Sequence, residues 1–147
     1  METKSKAIIA DASALVSLVD SHDTNHTRAV EEGQQYLSST SQPIVLPTET
    51  LAETINILGK KFGRALAVEA VRSFLQPASQ FLVVSTELND IERALDLFSN
   101  IKQSVSFTDC IVMAVADRYG TKDIFGFDKQ FEDAGYNLMR PAAKRAA

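Results

Sequence analysis

The sequence predicts an α/β domain, a three-layer α/β/α sandwich with a mainly parallel central sheet. Short apolar runs alternate along the chain with longer stretches in which apolar residues recur every three or four positions. The short runs are typical of strands buried on both faces, and the longer stretches are typical of amphipathic helices. With 147 residues, 45% of them hydrophobic, the chain suffices for one domain with a full core.

The predicted strands and helices follow one another in regular alternation. The first strand runs directly into a helix-like stretch at residues 12–19, and Gly59 or Gly63 is expected to end the helix that starts at Thr48. The strands are predicted at residues 7–10, 44–46, 81–84, 124–126 and 137–139. The longer helices are predicted at residues 25–38, 48–59, 64–75, 87–99 and 108–119. One side of helix 87–99 carries the apolar residues Leu88, Ile91, Leu95 and Phe98.

Composition limits the classes of function. The net charge of −4 argues against a general nucleic-acid binder with a basic face, but it does not exclude a nuclease whose acids are clustered. A single cysteine, no apolar leader and no long apolar run predict a cytoplasmic protein without a membrane span. We expect residues 1–139 to form one domain and the basic residues 140–147 to form a mobile tail.

Four acidic residues lie where predicted elements meet. Asp11 and Asp128 each follow an apolar strand, Asp109 lies in the first turn of helix 108–119, and Glu53 lies one turn into helix 48–59. Each alone has an ordinary interpretation as a helix cap, a favourable helix-dipole position or an exposed helical residue. Together they indicate a site, because open α/β sheets bind ligands at the carboxyl ends of their strands.

A cluster of carboxylates requires compensation. Two unit charges about 4 Å apart repel by about 4 kcal/mol at an effective dielectric constant of about 20, so the cluster needs cations, shared protons or basic groups from a partner. Oxygen ligands favour Mg²⁺ or Mn²⁺, which can polarise a phosphoryl oxygen and lower the pKa of bound water. An aspartyl-phosphate mechanism is the alternative. Basic residues that could contact phosphates, or simply form solvated helix ends, are Lys60, Lys61, Arg64 and Arg118.

The chain resembles PIN-domain nucleases, and within that family VapC-type toxins of bacterial toxin–antitoxin pairs. The resemblance covers almost the whole chain in four blocks, residues 8–13, 46–53, 106–116 and 124–131. It implies a metal-dependent endoribonuclease that uses Mg²⁺ or Mn²⁺. By position, the metal-binding and catalytic acids would be Asp11, Glu53, Asp109 and Asp128, with the hydroxyls of Ser13 and Thr108 orienting carboxylates or waters.

The same resemblance implies an RNA substrate, an antitoxin partner and a homodimer. An antitoxin would place a basic side chain in the acid cluster and an amphipathic segment along helices 48–59 and 64–75, which also offer a dimer face. The chain departs from the family at Gly126, where a Thr or Ser often stands two residues before the last acid.

Other functional classes remain open. One is an RNA-processing PIN nuclease without an antitoxin, and another is a PIN-fold binding module with weak catalysis. A phosphoacceptor receiver domain would need an acidic pair after the first strand, but only Asp11 follows it. A haloacid-dehalogenase-like phosphatase would need Asp-x-Asp there, and Ser13 occupies the second acidic position.

Overall fold

A computed structural model describes residues 7–102 and 104–139 of the chain. The predicted tail at 140–147 lies outside the described residues, as do the first six residues. The rest forms the predicted α/β/α sandwich. Among the described residues, no helix is both long and apolar enough to cross a membrane.

The strands pair into one parallel sheet, which confirms the predicted fold class. The spatial order is β3-β2-β1-β4-β5, and every pairing is parallel. Ile9 of the first strand aligns with Val45 on one side and with Ile124 on the other. The described strands are β1 (Ile9–Ala10), β2 (Ile44–Pro47), β3 (Phe81–Val84), β4 (Asp123–Phe125) and β5 (Asn137–Leu138).

The helices lie close to their predicted positions. The helix that begins at Thr48 continues through Gly59 and ends at Gly63, whose φ of 91° is open to glycine without steric cost. The described α-helices are α1 (Ala12–Val19), α2 (His26–Ser39), α3 (Thr48–Phe62), α4 (Arg64–Phe74), α5 (Leu88–Asn100), α6 (Phe107–Arg118) and α7 (Gln130–Asp133). A short 3-10 helix, Pro77–Ser79, precedes β3.

The core is divided by the sheet into two apolar layers. Ile9, Val45 and Ile124 face the layer that contains the buried helix α6. Their neighbours on the same strands face the opposite layer, formed with α1 and α2, because successive side chains of a strand point to opposite faces. Helix α6 is the most deeply buried, since every residue from Cys110 to Ala116 belongs to the core.

Helix α5 turns its apolar stripe outward. The four stripe residues share one side of the helix, as the sequence predicts, but their exposed fractions lie between 36% and 70%. Ala94 and Asp90 are the buried residues of this helix instead, and the small Ala94 joins the core cluster that contains α6. The stripe, which we call the α5 stripe, consists of Leu88, Ile91, Leu95 and Phe98.

The strand order reverses between β1 and β4. The chain passes from β1 to β2 and β3 on one side, and then returns to place β4 and β5 on the other side of β1. Ligands of open α/β sheets bind where the strand order reverses in this way. Asp11 follows β1 directly, and Asp128 lies three residues beyond the end of β4.

Candidate active site

Asp11 is held at the carboxyl end of β1 by backbone and side-chain hydrogen bonds. Its backbone N–H donates to the Phe125 carbonyl oxygen at 2.9 Å, so the β1–β4 pairing extends to the acid itself. The side chain caps α1, where Oδ2 accepts from the Ser13 backbone N–H at 3.3 Å and from Ser13 Oγ at 2.8 Å. The residue is only 2% exposed. Ser13, selected from the sequence, therefore contacts Asp11 directly.

Burial makes the Asp11 carboxylate hard to ionise. The pKa of Asp11 is raised to about 7, mainly by desolvation and also by repulsion from Asp128 and Asp109, whereas the Ser13 hydrogen bonds lower it. A buried carboxyl group with a raised pKa is a strong candidate for a functional role, because burying its ionised form lowers the stability of the fold.

Asp128 is exposed and lies in the segment between β4 and α7, beyond the end of the strand that pairs with β1. Desolvation and the nearby Asp109 raise the pKa of Asp128, whereas a hydrogen bond with the Asp11 carboxyl group lowers it. The preceding Phe127 backbone N–H donates to Ser13 Oγ at 3.0 Å. Ser13 therefore links the two acids, since its hydroxyl accepts from the Asp128 segment and donates to Asp11.

Asp109 and Glu53 complete the acidic group. Asp109 Oδ2 accepts from the Ser106 backbone N–H at 3.0 Å in a capping box at the start of α6. Glu53 is half-buried on α3, and its pKa is raised by burial, then by Asp109 and Asp128. Asp109 and Asp128 thus act electrostatically both on Asp11 and on Glu53.

The four carboxylates have no ion-pair partner in the part of the chain that the structure describes. No three His, Cys, Asp or Glu side chains in the same part of the chain are yet arranged to hold one metal ion together. The donors are nevertheless the hard oxygens that Mg²⁺ and Mn²⁺ prefer. Ligation by three of them would require side-chain rotation, for which the exposed Asp128 has room.

A pocket of about 320 Å³ opens beside Glu53 and includes the predicted Thr108. Sequence reasoning missed Glu49, which lines this pocket one helical turn before Glu53. The spacing of four residues on one helix was the available signal. Thr86 Oγ1 donates to Glu49 Oε1, which ties the start of α3 to the loop before α5.

The four predicted basic residues divide into two pairs. Lys60 lines the Glu53 pocket, and together with Arg64 it lines a second groove of about 580 Å³ between α3 and α4. Lys61 instead donates to Asp20 at 2.8 Å. Arg118 donates hydrogen bonds to Glu87, Asp90 and the Ser85 carbonyl oxygen, which hold its guanidinium group at the start of α5. Only Lys60 and Arg64 of the four line the groove next to the acids.

The second groove, which we call the α3–α4 groove, adjoins the pocket beside Glu53. Asn56 and Lys60 line both cavities. Its apolar wall consists of Ile55, Ala67 and Val68. An extended or helical segment lying in this groove would therefore end beside Glu53.

Comparison with known sequences agrees with this geometry. A family model described as the PIN domain matches residues 8–136. The chain is 27% identical over 136 residues to the 23S rRNA-specific endonuclease VapC20 of Mycobacterium tuberculosis, covering 91% of this chain and 98% of that protein. It is 24% identical over 136 residues to a VapC ribonuclease of Aquifex aeolicus, covering 90% and 96%.

Solved structures share the fold. The crystal structure of Mycobacterium tuberculosis VapC20, described as a sarcin-ricin loop cleaving toxin, superposes with a TM-score of 0.79 at 24% identity, covering 92% of this chain and all of that one. The VapBC2 complex of Rickettsia felis bound to a promoter DNA fragment matches with a TM-score of 0.66 at 11% identity, covering 90% and 98%. At these identities the likeness demonstrates the architecture.

Proposed function

This chain belongs to the PIN domain family, and on that premise we propose that it is an endoribonuclease that hydrolyses RNA phosphodiester bonds. The observation that carries the proposal is the buried Asp11, which lies at the strand-order reversal in electrostatic contact with Asp128 and Asp109. Acids at this place, without an ion-pair partner among residues 7–102 and 104–139, suit a cationic cofactor and a phosphate substrate.

We assign the cofactor as Mg²⁺ or Mn²⁺. Asp11 and Asp109 would hold the metal, and Glu53 and Asp128 would complete its shell or orient the attacking water. When bound, such a cation polarises the phosphoryl oxygen and makes water a better nucleophile. The Ser13 hydroxyl fixes the rotation of the Asp11 carboxyl group through its 2.8 Å hydrogen bond, and the Ser106 backbone N–H, which donates to Asp109 Oδ2, fixes the Asp109 carboxyl group. Thr108 would orient substrate or water in the pocket beside Glu53.

The substrate approaches a site with two exposed cations. Lys60 lines the pocket beside Glu53, Arg64 lines the neighbouring α3–α4 groove, and both would bind RNA phosphates next to the scissile bond. Ribosomal RNA is the first substrate to test, because the relative VapC20 is named a 23S rRNA-specific endonuclease. An RNA substrate of this kind implies a cytoplasmic location.

We further propose that the chain is the toxin of a toxin–antitoxin pair. A solved structure of similar fold is described as a toxin–antitoxin complex from Klebsiella pneumoniae. An antitoxin segment would lie in the α3–α4 groove, with its apolar side against Ile55 and Val68 and a basic residue directed to Glu53. A homodimer is also proposed, with the exposed apolar α5 stripe as its interface.

The proposal is tested by incubating purified protein with ribosomal RNA and with total cellular RNA. Reactions contain Mg²⁺, Mn²⁺ or EDTA, and use wild type, Asp11→Asn and Asp96→Asn. Asp96 is an exposed acid on α5 and serves as the matched control. Cleavage that needs metal and Asp11, but not Asp96, is the expected result.

Two other outcomes discriminate the alternatives. Folded protein that neither cleaves RNA nor binds Mn²⁺ in a calorimetric titration would refute the nuclease and leave the binding module. Cleavage by a protein whose gene has no antitoxin gene beside it, and which is not toxic to cells, would favour an RNA-processing nuclease.

A further inference from the structure

The guanidinium group of Arg28 lies against the segment that carries Asp128. Its Cζ lies 4.9 Å from the centroid of the Phe127 ring, which is within the range of a cation–π contact. Phe127 immediately precedes Asp128 and follows the end of β4. We propose that Arg28 is a positioning residue that sets the location of Asp128 through Phe127, an inference that rests on the proposed nuclease function.

Arg28 is itself held rigidly. Its Nε donates to Glu32 Oε1 at 3.0 Å, one turn further along α2, and the Glu32 side chain is fully buried. Its Nη2 donates to the Met139 carbonyl oxygen at 3.1 Å. A planar guanidinium group can make both bonds and still present its face to an aromatic ring, which a lysine ammonium cannot do.

The segment that carries Phe127 and Asp128 depends on side-chain contacts for its position. Residues 126–129 belong to neither a helix nor a strand. Phe127 is fixed on two sides, since its backbone N–H donates to Ser13 Oγ and its ring lies under Arg28. Ser13 in turn donates to Asp11. Movement of Phe127 would therefore shift Asp128 and disturb the hydrogen bond that fixes Asp11.

The influence of Arg28 on Asp128 is positional. The groups whose charge or hydrogen bonding acts on the Asp128 carboxyl group are Asp109 and Asp11. The contacts of Arg28 are with Glu32, Met139 and Phe127. Substituting Arg28 should consequently alter the place of Asp128, with little change in its electrostatic surroundings.

The test compares Arg28→Gln and Arg28→Lys with wild type at a temperature well below unfolding. Arg93→Gln is the matched control, because Arg93 is an exposed arginine that pairs with Asp117 away from this segment. The readouts are the backbone amide signals of Phe127, Asp128 and Asp109, the Mn²⁺ dissociation constant, and kcat and KM for RNA. A Phe127→Leu variant supplies a second disruption of the same contact.

We expect Arg28→Gln to shift the amide signals of Phe127 and Asp128, and Phe127→Leu to shift that of Asp128, whereas the Asp109 signal should stay in place in both variants. Mn²⁺ binding and kcat should fall by about 10-fold, the range seen for residues that orient metal ligands, with KM nearly unchanged. Arg28→Lys should be intermediate, and Arg93→Gln should match wild type.

Unshifted Phe127 and Asp128 amides in folded Arg28→Gln would overturn the proposal. So would an equal change in the Arg93→Gln control. If wild type itself binds no Mn²⁺ and cleaves no RNA, the nuclease function fails, while the amide signals still decide whether Arg28 positions Asp128.

Discussion

Gly126 leaves space for Asp11. A Cβ atom added to Gly126 would lie 3.0 Å from Asp11 Cβ, 3.3 Å from Asp11 Oδ2 and 3.3 Å from Ser13 Oγ. The absence of a side chain thus lets β4 approach the acid at the end of β1. The resemblance to PIN nucleases suggested a lost hydroxyl at this position, whereas the structure shows a close approach in which Ser13 supplies the hydroxyl.

Gly126→Ala is therefore expected to impair the site. The methyl group would push against the Asp11 carboxyl group and Ser13 Oγ, which would weaken their 2.8 Å hydrogen bond. Crowding of this kind typically costs 1–3 kcal/mol. We expect lower kcat and weaker Mn²⁺ binding together with a lower Tm.

Gly59→Ala is the control for Gly126→Ala, because an added Cβ at Gly59 would meet no atom within 4 Å and the position is helical. It should be neutral or slightly stabilising, since alanine favours helices over glycine. Wild-type activity and Mn²⁺ affinity in Gly126→Ala would contradict the close-approach argument.

Asp11→Asn should abolish cleavage and yet stabilise the metal-free protein at alkaline pH. An unfolded aspartate ionises near pH 3.9, but folded Asp11 ionises near pH 7. Between these values the folded state retains a proton that the unfolded state has lost, so the free energy of unfolding falls as pH rises. Asparagine removes this penalty. The gain above pH 7 should be roughly 2–4 kcal/mol, because each pKa unit corresponds to about 1.4 kcal/mol.

Urea unfolding in EDTA at pH 4 and pH 8 measures this effect. The difference between Asp11→Asn and wild type should be small at pH 4 and large at pH 8, whereas Asp96→Asn should track wild type at both. An Asp11→Asn variant less stable than wild type at pH 8 would show that the buried Asp11 carboxylate does not destabilise the folded protein.

The order of the elements and the position of Asp11 could be predicted from the sequence because both depend on local pattern. Apolar alternation locates strands and helices, and a carboxylate that directly follows a strand must lie at the carboxyl end of the sheet. The end of α3 was predicted only as Gly59 or Gly63, and in the structure it lies at Gly63.

What the sequence could not predict depends on contacts between distant residues. Lys60 and Lys61 are adjacent and chemically identical, yet only Lys61 meets Asp20, which is 41 positions away. The α5 stripe has the spacing of a core face, but the smaller Ala94 on the other side packs inward. The role of Arg28 depends on Phe127 and Met139, which no local pattern connects to it.

The adjacent lysines provide a matched pair for RNA binding. Lys60→Gln should weaken RNA binding and reduce the slope of log affinity against log salt by about 1, because one phosphate contact is lost. Lys61→Gln should leave that slope unchanged and lower Tm, since it removes the ion pair with Asp20. The Asp11→Asn background prevents cleavage during the titration. Equal loss of affinity in both variants would mean that Lys61 also reaches the RNA.

The exposed α5 stripe is expected to mediate the homodimer. Leu95 is 53% exposed at its centre, and a lysine there would place charge in an apolar interface. Light scattering at micromolar concentration should find wild type dimeric and Leu95→Lys monomeric but folded, with a lower Tm because association stabilises the folded state. Val68→Lys, which alters the α3–α4 groove instead, should remain dimeric. If Val68→Lys is monomeric and Leu95→Lys is dimeric, the dimer face lies on α3 and α4, as the sequence first suggested.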